Sequence, residues 1–358
     1  MLKKKFRNYK LLGMLKSGLF CLFLVAPVLV FGQQYKGSPV TKDRLVNVLR
    51  LKRVPAKEIL QIVNRKGVDF QITPVIEKEL VAAGASPVII AATRANFRAS
   101  SEKADPDFER GSALFEAGDF EKSANVFKAV LAKQPSAENN YNVGLAYAKL
   151  ERFDLSVKYF GEAAKLDPQD ADIWFNYALV LNELDRFQET VEASRKYLAL
   201  KPEKGEGWLI LGDAYYNADN YPEAIRAYQK GLQLDPSIAD GWRSLGDTFV
   251  EIENYSFAIE SYQKAVRLDA VNGAAWAGLG KALLTVERHK EAVEALKQAT
   301  IITPENAEAW FNLGASYTNL EDYAKGVAAY QKAAQLDPSD EETKEALKVA
   351  QKALRENQ

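Results

Sequence analysis

The sequence predicts an all-α solenoid, in which helical hairpins stack behind a small helical module, and three observations predict it. All five tryptophans, Trp174, Trp208, Trp242, Trp276 and Trp310, stand thirty-four residues apart. A supersecondary unit repeated at that interval cannot bury its apolar face alone and must stack on its own copies. With tryptophan set at position 4, Leu211, Leu245, Leu279 and Leu313 fall at position 7 and Gly212, Gly246, Gly280 and Gly314 at position 8. Position 11 holds Tyr215, Phe249, Leu283 and Tyr317, position 20 holds Ala224, Ala258, Ala292 and Gly326, and position 24 holds Tyr228, Tyr262, Leu296 and Tyr330. Offsets 4, 7, 8 and 11 make one helical stripe, and 20, 24 and 27 make a second. Glycine inside a helix costs about 1 kcal/mol against alanine, so its recurrence signals two backbones in close approach. Proline at position 32, as Pro202, Pro236, Pro304 and Pro338, cannot continue the second helix and closes each unit.

The chain opens with Lys3, Lys4, Lys5, Arg7, Lys10 and Lys16 and no acid through residue 32. An apolar stretch of sixteen residues, SGLFCLFLVAPVLVFG, follows the basic segment. This pattern fits a secretory signal over 1–32 and is short for a membrane span. Val30 and Gly32 supply small residues before a cut that leaves Gln33 first. The rival is an uncleaved membrane anchor, which Pro27 disfavours. Localisation is therefore expected to be periplasmic or extracellular, in a bacterial source. Cys21 is the only cysteine, so cleavage removes thiol chemistry and disulfides together. The 358-residue chain has net charge -1. Taking the six leading cations from 47 leaves 41 against 48 acids, a balance of -7 that points away from nucleic acid.

Residues 33–98 do not follow the period and read as four short helices. Thr41 caps the first, Pro55 opens a second that Gly67 ends, Thr73 and Pro74 open a third that Gly84 ends, and Ser86 with Pro87 open a fourth. Amphipathic spacing makes Leu45, Val48, Leu49, Ile59, Ile62, Val63, Phe70, Ile76, Leu80 and Ile89 the expected core. The string IVNRKGVDFQITPVIEKELVAAGAS resembles a small helical module of bacterial envelope proteins, to which no activity attaches. Residues 99–103 lie in a polar linker.

Strings such as WLILGDAYYNADNYPEAIRAYQKGLQLDP and WFNLGASYTNLEDYAKGVAAYQKAAQLDP resemble the tetratricopeptide repeat family, with its W-x2-L-G-x2-Y, A, Y and P positions. Seven repeats span 104–340, at 104–136, 137–170, 171–204, 205–238, 239–272, 273–306 and 307–340. The first two carry Asp107 and Asn140 in place of tryptophan but keep Gly111, Gly144, Pro135 and Pro168; the fifth has Ala270 for proline. The resemblance implies a right-handed superhelical solenoid whose first helices line a concave groove. Residues 341–358 repeat a first-helix pattern with nothing after it and are expected to cap the array.

No phosphate-binding glycine loop, H-E-x-x-H or G-x-S-x-G string occurs. His289 is the sole histidine, expected in a solvated turn, with no second imidazole or thiol to complete a site. The expectation is a non-enzymatic scaffold without catalytic, metal or cofactor residues. The rival from another class is an accessory subunit of a cell-wall or polysaccharide enzyme.

The resemblance places function at positions 5, 6 and 9 of the first helices. These give Tyr141, Asn142 and Leu145 in the second repeat and Phe175, Asn176 and Leu179 in the third. Further on they give Asp213, Arg243, Asp247, Phe311 and Asn312. The groove thus starts apolar and aromatic and turns charged. Asparagine amides carry a donor and an acceptor and can grip an extended backbone, as in the asparagine ladder of some family members, though Ile210, Ser244 and Gly278 interrupt it here. Position 2 carries Glu138, Asp172, Glu206, Asp240 and Glu308 instead of lysines, which favours a protein or peptide partner with basic character. Tyr141 and Phe175 are the expected anchors. The bland alternative is that these rings pack between neighbouring helices.

Overall fold

In the computed structural model, residues 42–51, 55–66, 68, 72–95 and 106–357 are described. The signal segment, Gln33, Thr41, Gly67, Phe70 and the linker therefore lie outside the described residues. Two compact units divide at Glu189/Thr190.

Unit 1 begins with α1 (Lys42–Leu51), α2 (Ala56–Lys66), α3 (Pro74–Ala82) and α4 (Pro87–Ala95). The punctuation acts as the side-chain chemistry requires. Thr73 Oγ1 accepts from Ile76 N–H at 3.3 Å, and Ser86 Oγ accepts from Ile89 N–H at 3.4 Å, each just before a proline whose missing N–H costs the helix nothing. Gly84 adopts φ +103, which ends α3. Leu45, Val48, Leu49, Ile59, Ile62, Val63, Leu80 and Ile89 share one core with Val46, Val68 and Ile90, while Ile76 packs at its margin.

The hairpins follow: α5 (Pro106–Glu116) with α6 (Phe120–Lys133), α7 (Ala137–Lys149) with α8 (Phe153–Leu166), then α9 (Ala171–Glu183). Helix α10 (Phe187–Leu200) carries the unit boundary. Unit 2 continues with α11 (Gly205–Asn217), α12 (Tyr221–Leu234), α13 (Ala239–Glu251), α14 (Tyr255–Leu268), α15 (Gly273–Thr285), α16 (His289–Ile302), α17 (Ala307–Asn319), α18 (Tyr323–Leu336) and α19 (Glu341–Glu356). All the elements are helical, and none is long and apolar enough to cross a membrane among the described residues.

Where position 8 is glycine, the ring or leucine at position 24 lies directly on it; the third repeat has Ala178 and Ser194 there instead. A Cβ at Gly212 would sit 2.6 Å from the Tyr228 ring, and one at Gly246 would sit 2.8 Å from that of Tyr262. Gly111 meets Phe127 and Gly144 meets Phe160 in the same way. In these first two hairpins position 20 is serine, and Ser123 and Ser156 each donate to the glycine carbonyl opposite at 2.8 Å.

The tryptophans are not fully buried. Each is half-buried, and its indole N–H donates across the inter-repeat turn to the carbonyl six residues earlier. The acceptors are Pro168, Pro202, Pro236, Ala270 and Pro304, at 2.9 to 3.2 Å. The bond uses a main-chain oxygen, so Ala270 serves as well as proline.

Within each hairpin the turn runs through a left-handed residue. Gly118 takes this place in the first, but Glu151, Asp185, Asp219, Glu253, Glu287 and Glu321 take it afterwards at φ between 56 and 64. The next residue's N–H reaches back to the last-turn carbonyl, as Asn254 does to Phe249 at 2.8 Å. A side chain in this conformation costs on the order of 1–2 kcal/mol, partly offset by the entropy glycine would lose. Glu253→Gly is therefore expected to raise stability by about 0.5 kcal/mol, read as a higher midpoint in denaturant with an unchanged slope.

Candidate functional site

In unit 1 the inner sides of α7 and α9 carry the six residues expected there. Helical period decides their fates, because position 5 turns toward its own hairpin partner. Tyr141 is 0% exposed, with its ring 5.5 Å from that of Phe160, and Phe175 is also buried. Neither expected anchor is exposed, and the Tyr141 ring packs within its own hairpin. Asn176 donates Nδ2 to the Tyr141 hydroxyl at 3.1 Å and to the Asp172 carbonyl at 2.8 Å. It joins one repeat to the preceding one while staying half-buried. Asn142 is buried, with neither amide atom bonded. Leu145 and Leu179 are half-buried and are the apolar groups this face retains.

In unit 2 the charges at positions 5 and 9 form a network rather than an exposed set. Arg243 Nη1 donates to Asp247 Oδ2 at 2.7 Å, and its Nε lies 3.5 Å from Asp240 Oδ1. These partners lie at i+4 and i−3 on α13, one helical turn either way. The side chains of Arg243, Asp240 and Asp247 are 12, 20 and 18% exposed. Tyr262 donates to Asp247 Oδ1 at 2.7 Å, Tyr228 donates to Asp213 Oδ1 at 2.5 Å, and Asn272 donates to Asp240 Oδ1 at 3.2 Å.

Electrostatics follow from this geometry. Burial works against charge on Arg243, but Asp247, Asp240 and Asp213 outweigh it and raise its pKa. Burial, then the neighbouring Asp247, holds the Tyr262 phenol well above its ordinary range, and burial with Asp213 does the same for Tyr228. Both hydroxyls therefore remain donors at neutral pH. Beyond the network Lys281 pairs with Glu308 at 2.5 Å, and Tyr216 donates to Glu251 at 3.2 Å. Phe311 is half-buried, its ring 5.5 Å from Tyr330, and Asn312 is buried.

Sequence reasoning passes over Tyr228 and Tyr262 as functional residues because tyrosine at position 24 reads as core filler. A signal existed: aspartate at 9 occurs with tyrosine at 24 in the fourth and fifth repeats, fifteen residues apart, whereas the sixth has Lys281 with Leu296. His289 starts α16 and is half-buried, with Nδ1 unbonded, rather than solvated in the turn. No group of three or more histidine, cysteine or acidic side chains among the described residues could hold a metal ion.

Residues 108–160 and 141–205 match the family model for the tetratricopeptide repeat. Residues 186–358 match that of the cilia and flagella-associated protein 70 C-terminal domain. Among solved structures, the chain is similar to one in the APC/C hetero-tetramer Cut9-Hcn1, at 17% identity and TM-score 0.55 over 94% of this chain and 56% of that one. It is similar to the C-terminal part of a TPR repeat-containing protein from Cytophaga hutchinsonii, at 18% identity and TM-score 0.54 over 67% and 99%. It is also similar to pilF of Pseudomonas aeruginosa, at 19% identity and TM-score 0.53 over 58% and 95%. These likenesses concern the fold. None of the curated proteins compared matches the chain.

The Arg243 network yields a stability prediction. Arg243→Met keeps the stem but leaves Asp240 and Asp247 half-buried without their cation, so a loss of about 2–3 kcal/mol is expected in chemical denaturation. Asp240→Asn with Arg243→Met should recover part of it, as a double-mutant cycle would report.

Proposed function

The chain belongs to the tetratricopeptide repeat family, and on that premise we propose that it is a non-enzymatic scaffold of the bacterial envelope that binds a protein or extended peptide. The single observation that carries this reading is the set of half-buried side chains at positions 2, 5, 6 and 9 of the first helices. In unit 1 these are Leu145, Leu179 and Asn176; in unit 2 they are Asp213, Asp240, Arg243 and Asp247. Three carboxylates against one guanidinium leave unit 2 with a net negative inner face, which complements a partner of basic character. Half-buried leucines on a rigid helix can close on an apolar side chain with little ordering cost.

The test begins with a partner isolated by co-purification from the native envelope. Leu145→Ala with Leu179→Ala should weaken its binding about tenfold or more, while Asp213→Asn with Asp247→Asn should mainly change the on-rate and the salt dependence. Both variants must melt as cooperatively as the parent. Unchanged affinity in both would overturn the inner-face reading.

Export is proposed from the basic and apolar N-terminal stretches. Intact mass of the mature protein should show Gln33 as the first residue; a product retained in membranes with Met1 present would replace the cleaved form with an anchored one.

A further inference from the structure

In the third repeat, Asn176 at position 6 is bonded to the hydroxyl of Tyr141 at position 5 of the repeat before. The same pair of positions one repeat earlier is Asn142 and Phe108. Phe108 and Tyr141 are equivalent in packing as well as in register. The Phe108 ring lies 5.7 Å from Phe127 at 56°, and the Tyr141 ring lies 5.5 Å from Phe160 at 56°. Phenylalanine, however, has no hydroxyl to offer. Asn142 is 1% exposed, and neither its Nδ2 nor its Oδ1 is hydrogen-bonded.

The link across the turn also differs at the same seam. Trp174 spans the turn between the second and third repeats by its bond to the Pro168 carbonyl, six residues back. Asn140 takes the tryptophan position between the first and second, and its Nδ2 reaches only the Ser136 carbonyl four residues back, at the start of its own helix. Asn139 ties this turn instead, its Nδ2 donating to the Gln134 carbonyl at 2.8 Å, so the polar group left unbonded at this seam is the Asn142 amide.

We infer that the seam between the α5/α6 hairpin and the α7/α8 hairpin is an opening point built into unit 1. Opening returns the Asn142 amide to water, so the closed state gives up the hydrogen bonding that a tyrosine at 108 would supply. Apolar packing keeps the seam closed for most of the time. Phe108, Phe115, Phe127, Val130, Val143, Ala146 and Tyr147 form one buried cluster across it. The open state is thus a minor population set by sequence at two positions, and it uncovers the inner face of α7. This inference stands apart from the partner-binding reading, since it concerns the free chain.

Native-state hydrogen exchange on the full chain, read by mass spectrometry, tests it. Amides of α5 and α6 should exchange about tenfold or more faster than those of α7 and α8. Phe108→Tyr should slow α5 and α6 by about tenfold, the worth of one buried hydrogen bond, and leave α15 to α18 unchanged. Asn142→Leu removes the unbonded amide at similar volume and should slow the same helices, which keeps the test decisive if the tyrosine variant folds poorly. Equal exchange of the two hairpins in the parent, no slowing in Phe108→Tyr, or faster exchange in Asn142→Leu would each overturn the inference.

Discussion

The contact on which the rest depends, made in every repeat but the third, is an aromatic or leucine side chain at position 24 laid on a bare glycine Cα at position 8. At Gly314, a Cβ would come within 2.8 Å of the Tyr330 ring, and Leu296 crowds Gly280 the same way. The loss of about 1 kcal/mol of helix propensity at each glycine is small beside burial of a ring worth about 2–3 kcal/mol. Because the glycine admits the ring, the two helices of a hairpin approach closely enough for position 20 to be small or to bond the opposing carbonyl. The stripes at 4, 7, 8 and 11 and at 20, 24 and 27 follow from that approach.

Turn chemistry then joins the elements by main-chain bonds that tolerate variation in side chains. Indole donors reach carbonyls, so the one missing proline costs no bond. Acidic residues occupy left-handed turns where glycine would be less strained, and the backward bond from the following residue holds them there. Where a link depends on a particular side chain, as between Asn176 and Tyr141, a single change of residue removes it.

This dependence ties several inner-face side chains into the fold itself. Tyr141, Phe175 and Asn176 look like binding groups by position, yet both rings are buried, Tyr141 against Phe160 of its own repeat, and Asn176 bonds the Tyr141 hydroxyl. Leu145 packs at the margin of the buried cluster of the first two hairpins, and it and Leu179 stay half-buried. In unit 2 the carboxylates are fixed by Tyr228, Tyr262 and Arg243, so their charge is presented in one arrangement. Preorganised charge discriminates between partners better than mobile charge of the same sign, because the cost of ordering it is already met in folding.

The sequence by itself determined the period, the two stripes, the glycine and proline positions and the absence of familiar catalytic strings. Each of these is a local or periodic property, and a repeat makes the same physical demand at every thirty-fourth residue. The helix starts at Thr73 and Ser86 were legible for the same reason, since capping acts over three residues. Only the tertiary structure decided which of these side chains are buried or bonded. Position 5 lies between two stripes, and its direction depends on how the hairpin closes, so Tyr141 could be read as groove or as core. The Asp213–Tyr228 and Asp247–Tyr262 bonds join different helices, and the indole bonds depend on how each turn folds back. A periodic pattern specifies that helices stack; hydrogen bonds between side chains of different helices depend on distances that arise only once they have.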